Sequence, residues 1–246
     1  MDLVVLGAGP AYSDRPGSTG AAYLLSVGND SLLLDLGQGS FPRLAAQLDP
    51  ADLVAVVVSH LHPDHFVDLV PLRHYLRYER PGRRVTVHGP GALGDRLDGL
   101  LGEPGFTAAS LDALPLRAGS MTIGPFRVEA ARVTHTDESY AFRVTVGDGL
   151  GLVYSGDCGR AADLRPLIRP GDALLSEVSF GQGPMPVDAL HLDGPAVGAL
   201  ATETRAGRVL LTHLQMGFDP EATIRSVHAS YDGDVRFVWP GDRLSI

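Results

Sequence analysis

The chain has 246 residues, of which 44% are hydrophobic, so it can bury a substantial core and is not expected to be disordered. Its net charge of −9 argues against general electrostatic attraction to the phosphate backbone of nucleic acids. The single cysteine, Cys158, excludes an intrachain disulfide, and no apolar run approaches the ~18 residues of a membrane span. Since the N-terminal residues resemble a first strand and not a signal peptide, we expect a soluble cytoplasmic protein.

Short apolar runs bounded by Gly, Asp or Pro recur along the chain and predict β-strands. These runs cover residues 3–6, 23–27, 32–34, 53–58, 85–88, 126–133, 141–146, 150–155, 173–176, 209–212 and 235–239. The segments between them carry the apolar spacing of helices. The predicted helices cover residues 41–48, 66–78, 91–101, 161–168, 195–204 and 220–231.

The order of these elements predicts the fold class. Strands precede each helix in pairs or triplets, without strict alternation of strand and helix. This order indicates an α/β fold, a four-layer αββα sandwich of two mixed β-sheets flanked by helices. Because no linker or low-complexity segment divides the chain, we expect residues 1–246 to form a single domain. A weak division near residues 118–119 separates two halves of similar strand and helix order.

Potential metal ligands crowd into the sequence SHLHPDH, residues 59–65, directly after an apolar run that predicts a buried strand. His60 and His62 can lie on the same side of an extended turn, whereas Asp64 and His65 are adjacent and can face a second centre. Imidazole and carboxylate together suit zinc, manganese or iron, whereas calcium and magnesium prefer oxygen alone. The turn therefore predicts a transition-metal site at a sheet rim.

The motif H-x-H-x-D-H in this turn resembles the signature of the metallo-β-lactamase superfamily. The family's remaining histidines and bridging aspartate match His135, Asp157 and His213, each of which follows a predicted strand. The resemblance covers nearly the whole chain and implies the metallo-β-lactamase fold. It implies one metal bound by His60, His62, His135 and Asp157, and a second bound by Asp64, His65, Asp157 and His213.

The same resemblance implies a hydrolase that uses two divalent cations, Zn²⁺ with Mn²⁺ or Fe²⁺ as alternatives. Attack by a metal-bound hydroxide is implied, with Asp64 holding the second metal and orienting the hydroxide. Cys158 follows Asp157 at a position where relatives commonly carry a hydroxyl residue. It is interpreted as a small buried neighbour, with a role as a further ligand as the alternative.

Two further features resemble the ribonuclease Z-like branch of the family. Residues 135–144 resemble that branch's H-x-x-x-S-Y/F-G-x-R/K segment, and Glu177 and His191 resemble its paired glutamate and catalytic histidine. In such enzymes the histidine protonates the leaving group and the glutamate orients it. Alternatively, Glu177 is a rim carboxylate and His191 a solvated residue before a helix. Asp193, which occupies a position where relatives carry Ser or Thr, can cap that helix.

Members of this branch that process tRNA carry a protruding arm in the second half. Residues 141–156 leave room only for a hairpin that turns at residues 147–149, so nucleic acid is possible but not favoured as a substrate. The chain is more similar to the armless phosphodiesterases of the branch, including atypical class II cyclic-nucleotide phosphodiesterases. This similarity implies hydrolysis of a small phosphodiester such as a cyclic nucleotide. Homodimers are common in the branch.

Two alternatives to phosphodiester hydrolysis stay open at the level of sequence. The same metals can support a carbonyl hydrolase that acts on a lactone, thioester or β-lactam. A non-catalytic metal-binding protein would retain the ligands without turnover. Five arginines after the ligand turn are interpreted as phosphate contacts or as a solvated helix face: Arg73, Arg77, Arg80, Arg83 and Arg84. The remaining histidines, His74, His88 and His228, fit no ligand spacing.

Overall fold

The structure, a computed structural model, describes residues 1–246 and contains fourteen β-strands and six α-helices. The strands are β1 (Asp2–Gly7), β2 (Ala22–Val27), β3 (Asp30–Leu34), β4 (Ala55–Val57), β5 (Val85–Gly89), β6 (Leu111–Pro115), β7 (Gly119–Ile123), β8 (Phe126–Arg132), β9 (Tyr140–Val146), β10 (Leu152–Tyr154), β11 (Ala173–Glu177), β12 (Arg208–Thr212), β13 (Asp234–Phe237) and β14 (Arg243–Ser245). The helices are α1 (Phe41–Ala45), α2 (Pro63–Phe66), α3 (Leu69–Tyr78), α4 (Leu93–Leu101), α5 (Gly194–Thr204) and α6 (Pro220–His228).

The strands form two mixed sheets of seven strands each, with the orders β14-β1-β2-β3-β4-β5-β6 and β13-β12-β11-β10-β9-β8-β7. Within each sheet, an antiparallel part joins a parallel part: β3 to β6 are parallel in the first, and β10 to β13 in the second. The predicted division near residues 118–119 falls between β6 and β7, where the chain passes from one sheet to the other.

Three apolar clusters define four layers. One cluster of 24 buried residues joins side chains of both sheets, including Leu34 and Val57 from the first and Phe142 and Leu175 from the second. A second cluster lies between the first sheet and helices α3 and α4, and a third lies between the second sheet and helices α5 and α6. The predicted αββα sandwich is therefore confirmed.

Three predictions of secondary structure were wrong for local reasons. Residues 161–168 form only a 3₁₀ turn, Ala161–Leu164, because Pro166 has no N–H to donate a helical hydrogen bond. The predicted helix over residues 66–78 is two helices, so that Pro71 lies in the first turn of α3, where no N–H is needed. The strands β6, β7 and β14 were missed because they are largely exposed and so lack a continuous apolar run.

The carboxyl ends of parallel strands meet at one rim of the sandwich, where ligands bind in open α/β sheets. The segments after β3, β4, β10, β11 and β12 all begin at this rim, so the fold brings distant parts of the chain together there. At the hairpin between β9 and β10, Val144 pairs with Leu152, as predicted for a connection without an arm. None of the helices is both long enough and apolar enough to cross a bilayer.

Candidate metal centre

The turn after β4 is fixed by backbone hydrogen bonds from the first sheet. Ala21 N–H donates to the Asp64 carbonyl at 2.7 Å, and Leu36 N–H donates to the His65 carbonyl at 2.8 Å. Gly37 allows this close approach, because a Cβ atom there would lie 1.8 Å from the Asp64 carbonyl oxygen. Helix α2 begins at Pro63, so the side chains of Asp64 and His65 leave its first turn toward the rim.

The first group of predicted ligands comes together at the rim. The ligand atoms of His60, His62, His135 and Asp157 all lie within 4.8 Å of one another. His135 Nε2 is 3.1 Å from His62 Nδ1 and 3.5 Å from Asp157 Oδ2, and His60 Nε2 is 3.6 Å from the same oxygen. Three nitrogens and one oxygen at this spacing could hold a single cation.

The second group lies beside the first and shares one residue with it. Asp64, His65, Asp157 and His213 also have their ligand atoms within 4.8 Å, and all four residues are buried. His65 Nε2 and His213 Nε2 lie 3.2 Å and 3.4 Å from Asp157 Oδ1. His213 Nε2 is 3.1 Å from Asp64 Oδ2. This group could hold a second cation.

Asp157 stands between the groups, with Oδ2 toward the first and Oδ1 toward the second. Two atoms of the cluster, Asp157 Oδ1 and His60 Nε2, are buried and have no hydrogen-bond partner. Buried polar atoms without partners are costly, and a bound cation would satisfy both. The chemistry and the unpartnered atoms therefore fit two cations that share one carboxylate.

Asp35, which the sequence analysis did not assign to the site, supports His65. His65 Nδ1 donates to Asp35 Oδ2 at 2.7 Å, and Asp35 also accepts from Ser59 N–H at 2.6 Å and from the Tyr154 hydroxyl at 2.7 Å. A carboxylate behind an imidazole fixes its tautomer and raises its basicity toward a metal. Asp35 and His213 both adopt left-handed backbone conformations, with φ of 57° and 59°.

Ser179, also missed from the sequence, links the second group to the predicted catalytic pair. Its hydroxyl accepts from His213 Nδ1 at 3.0 Å and donates to Glu177 Oε2 at 2.6 Å. Glu177 Oε1 in turn accepts from His191 Nδ1 at 3.0 Å and from Cys158 N–H at 2.9 Å. Glu177 is buried at the end of β11, and His191 is half-buried.

The electrostatics differ between the two ligand groups. In the second group, against the effect of burial, the carboxylate of Asp157 raises the pKa of His65 well above its ordinary value and also raises that of His213, whereas the first group favours neutral imidazoles. Burial lowers the pKa of His60 well below its ordinary value, and burial likewise lowers the pKa of His62 and His135. Burial opposes ionisation of Asp157, but the surrounding histidines hold its pKa well below the ordinary value. Neutral imidazoles and an ionised carboxylate are the forms that bind metals. Against the effect of burial, the bond to Glu177 raises the pKa of His191 to about 9.

Several other candidates lie outside the cluster. The Cys158 thiol is 3.2 Å from the Arg160 carbonyl and joins neither ligand group. His74 and His228 bond to backbone carbonyls of Val70 and Tyr231. Arg73 is fully buried against Asp98, so it cannot contact a phosphate at the rim. Among the other arginines after the ligand turn, Arg80, Arg83 and Arg84 form ion pairs with Asp49, Asp52 and Asp112, respectively.

A cleft of about 350 Å³ opens over the cluster. His62, Asp64, Asp157, His191 and His213 form its floor, and its walls come from the loop after β1 and the loop after β12: Pro10, Ala11, Tyr12 and Gln215. The imidazole of His191 is held through Nδ1, so Nε2 is available to the cleft. A small substrate in the cleft can therefore reach both the ligand groups and a proton-transferring imidazole.

Comparisons with known proteins identify the family of the chain. Residues 31–214 match the family model of the β-lactamase superfamily domain. The Mycobacterium tuberculosis protein Rv1339 is 33% identical over 236 residues, which cover 91% of this chain and 84% of that protein. The probable metallo-hydrolase YhfI of Bacillus subtilis is 27% identical over 98% of this chain and 100% of its own length.

Solved structures agree at the level of the fold. The crystal structure of Bacillus subtilis YhfI superposes with a TM-score of 0.87 and 24% identity, over 99% of this chain and 98% of that one. The short form of human tRNase Z superposes with a TM-score of 0.77 and 23% identity, over 100% and 99% of the two chains. The chain therefore belongs to the β-lactamase superfamily and is a metallo-hydrolase with the metallo-β-lactamase fold.

Proposed function

We propose that the chain is a phosphodiesterase that cleaves a small phosphodiester such as a cyclic nucleotide. It would bind two divalent cations, with Zn²⁺ as the first choice and Mn²⁺ or Fe²⁺ as alternatives. The observation that carries this proposal is the Glu177–His191 pair beside the ligand cluster, with 3.0 Å between Oε1 and Nδ1. Phosphodiester cleavage expels an alkoxide, and this leaving group needs a proton. Residues that ligate the cations cannot donate one, so a separate proton donor is required. A positioned imidazole next to the cations meets that need.

The residues that would hold the cations are those of the two groups, with Asp157 shared between them. When bound, divalent cations supply Lewis acidity that lowers the pKa of water and neutralises negative charge on a phosphate. The net charge of the chain, −9, would otherwise repel an anionic substrate. In this proposal Asp64, whose Oδ2 is 3.1 Å from His213 Nε2, would ligate the second cation and orient a nucleophilic water.

His191 carries the proton in this proposal. Glu177 fixes the ring through Nδ1 and leaves Nε2 directed at the cleft, where it can protonate the departing oxygen. Glu177 acts through His191 and is therefore a positioning residue, itself held by Ser179 and by the backbone of Cys158. A carbonyl hydrolase on the same cluster would have less need of this pair.

We also propose that residues 1–246 act as one catalytic domain, because the ligands come from both halves of the chain. His60 and His65 come after a strand of the first sheet, whereas Asp157 and His213 come after strands of the second sheet. A common apolar core joins the two sheets. Neither half alone would retain a complete ligand group.

The test measures turnover and metal content on the same purified sample. We expect hydrolysis of bis-p-nitrophenyl phosphate and of cyclic nucleotides, lost on chelation and restored by zinc or manganese. The His191→Ala variant should keep its metals while kcat falls roughly 10²–10⁴-fold, which is the usual contribution of general acid catalysis. His228→Ala changes an exposed histidine outside the cluster and serves as the matched control.

Two results would contradict the proposal. Full metal occupancy with turnover of lactones or thioesters, but of no phosphodiester, would assign the site to carbonyl hydrolysis. Unchanged phosphodiester turnover in His191→Ala would remove the role given to the Glu177–His191 pair.

A further inference from the structure

A second cavity, which we name the Trp239 pocket, lies beside the cleft at the same rim. Its volume is about 260 Å³, and most of its lining residues lie at or just after the ends of β1, β12 and β13. Only Pro10 and His213 line both this pocket and the cleft, and neither His191 nor Glu177 lines it. The Trp239 pocket is therefore a neighbour of the cleft with walls of its own.

The walls of the Trp239 pocket are largely apolar, and its aromatic wall is held in place. The ring of Trp239 stacks on that of Phe237 with 5.5 Å between the centroids, yet Trp239 stays 40% exposed. The Trp239 N–H donates to Asp242 Oδ2 at 3.0 Å, and the Asp242 N–H donates to the Trp239 carbonyl at 3.0 Å. Leu214 and Val238 add aliphatic surface. Because this wall is already ordered, a ligand would not have to order it on binding.

The free polar side chains of the Trp239 pocket can all donate hydrogen bonds. The Arg43 guanidinium, the Trp239 indole N–H and the Ser18 hydroxyl have no hydrogen-bond partner in the protein. Arg15 is already engaged, because its guanidinium donates to backbone carbonyls of the loop after β12 and lies 3.9 Å from Asp14. No aspartate or glutamate lines the pocket. In a chain of net charge −9, the pocket is thus a local site for an anion.

We propose that the Trp239 pocket is a second ligand site, separate from the metal cluster, and that its ligand is a small aromatic carboxylate. The indole of Trp239 would pack against the ring of the ligand, since aromatic pairs favour stacked or edge-to-face contact. The guanidinium of Arg43 would pair with the carboxylate, whose two oxygens match its N–H donors.

The size and charge of the pocket narrow this class of ligand. Its volume of about 260 Å³ is below the roughly 300–1,000 Å³ of sites for drug-sized ligands, so the ligand is small. The single unpaired guanidinium, that of Arg43, balances one negative charge, which favours a carboxylate over a phosphate dianion. An anion without a ring would leave the apolar wall uncovered.

The test uses the metal-loaded protein with 3-phenylpropionate as the probe. Trp239 is the only tryptophan of the chain, so its fluorescence reports occupancy of the pocket. We expect a saturable change in this fluorescence with a Kd in the millimolar range or below. 3-Phenylpropionamide has the ring without the charge, and acetate has the charge without the ring. Each should bind at least about tenfold more weakly.

Substitutions in the pocket separate the two contacts. Arg43→Ala should weaken binding of 3-phenylpropionate by about tenfold and leave binding of 3-phenylpropionamide unchanged, because only the charged contact is lost. Arg117→Ala removes an exposed arginine outside the pocket and should change neither. Trp239→Ala, measured by calorimetry because the reporter is lost, should weaken binding roughly 2- to 12-fold. An unchanged affinity in Arg43→Ala, or no saturable fluorescence change in the wild-type chain, would overturn the proposal.

A further comparison separates the pocket from the metal cluster, since a carboxylate can also bind to cations. After the cations are removed with a chelator and the chelator is removed by dialysis, the affinity for 3-phenylpropionate should be unchanged. Loss of binding together with the cations would place the probe at the cluster and overturn the separate site. Neither measurement uses turnover, so failure of the proposed phosphodiesterase function would leave this test intact.

Discussion

The two ligand groups differ in how firmly the protein holds them. In the first group His62 is exposed and His135 is half-buried, and the supports behind its imidazoles are neutral: Ser59 Oγ near His60 and the Leu190 carbonyl behind His135. In the second group all four residues are buried, and the carboxylate of Asp35 stands behind His65. A carboxylate partner raises ligand basicity more than a neutral acceptor does. We therefore expect the second group to bind its cation more tightly.

The largest expected effect comes from Asp157→Ala, which removes the carboxylate shared by both groups. Activity should fall by at least about 10³-fold, or ~4 kcal/mol in transition-state stabilisation, because neither cation keeps its full ligand set. The measurement is metal content by elemental analysis together with phosphodiester turnover. Asp148→Ala, in the exposed hairpin turn, makes the same change of charge and should leave both unchanged. Two retained cations in Asp157→Ala would refute the shared role.

Asp35→Ala should weaken cation binding at the second ligand group and leave binding at the first group unchanged. We expect the second group's cation affinity to fall roughly 10- to 100-fold, the usual result of removing such a partner, while the first group keeps its affinity. Competition with a metal-binding dye would report the two affinities separately. Tyr154→Phe removes one hydroxyl that donates to Asp35 but leaves the His65 contact, so it should cause a smaller loss. If Asp35→Ala lowered the cation affinity of both ligand groups equally, Asp35 would not be a support of the second group alone.

In the wild-type chain, a chelator should remove the cation of the first ligand group before that of the second. Since the first group contains the exposed His62 and lacks a carboxylate support, its cation should leave at a chelator concentration roughly tenfold lower. Equilibrium dialysis followed by elemental analysis would show a plateau near one cation for each chain. Loss of both cations in a single step would mean that the groups bind with similar strength.

The smallest effect concerns the helix beside the catalytic pair. Asp193 Oδ1 accepts from Ala196 N–H at 3.0 Å at the start of α5, as predicted for a capping residue. Asp193→Ala should lower the free energy of unfolding by about 1 kcal/mol without loss of cations. Asp219→Ala removes the equivalent cap of α6 and is the control. Urea denaturation measures both; loss of metal in Asp193→Ala would connect this helix to the ligand groups.

Much of this arrangement could be predicted because its signals are local. His60, His62, Asp64 and His65 lie within one turn after an apolar run, and the structure brings them to the rim as expected. Asp157 comes three residues after the end of β10, also at the rim. The two-sheet architecture was likewise readable from the order of strands and helices, because β-branched runs and their Gly or Pro boundaries depend only on neighbouring residues.

The supporting contacts could not be predicted, because they depend on which strands are neighbours. Asp35 reaches His65 only because β3 lies beside β4 in the sheet, at a register that the sequence does not encode locally. Ser179 joins His213 to Glu177 because β11 pairs with β12. A serine two residues after a glutamate has no distinctive signal, whereas an aspartate after three leucines at the end of β3 could have raised suspicion.

The left-handed backbone of Asp35 and His213 has a consequence for how the chain can change. At φ near 57° and 59° a residue with a Cβ atom is strained by about 1–2 kcal/mol, whereas glycine adopts the same backbone freely. Glycine at either position would relieve the strain but delete the imidazole or the carboxylate. Because Asp35→Gly would also leave the Ser59 N–H, the Tyr154 hydroxyl and His65 Nδ1 without their acceptor, relief of the backbone strain would not stabilise the fold. Selection for heat tolerance would therefore retain the strained aspartate even in a chain that no longer needed to bind metal.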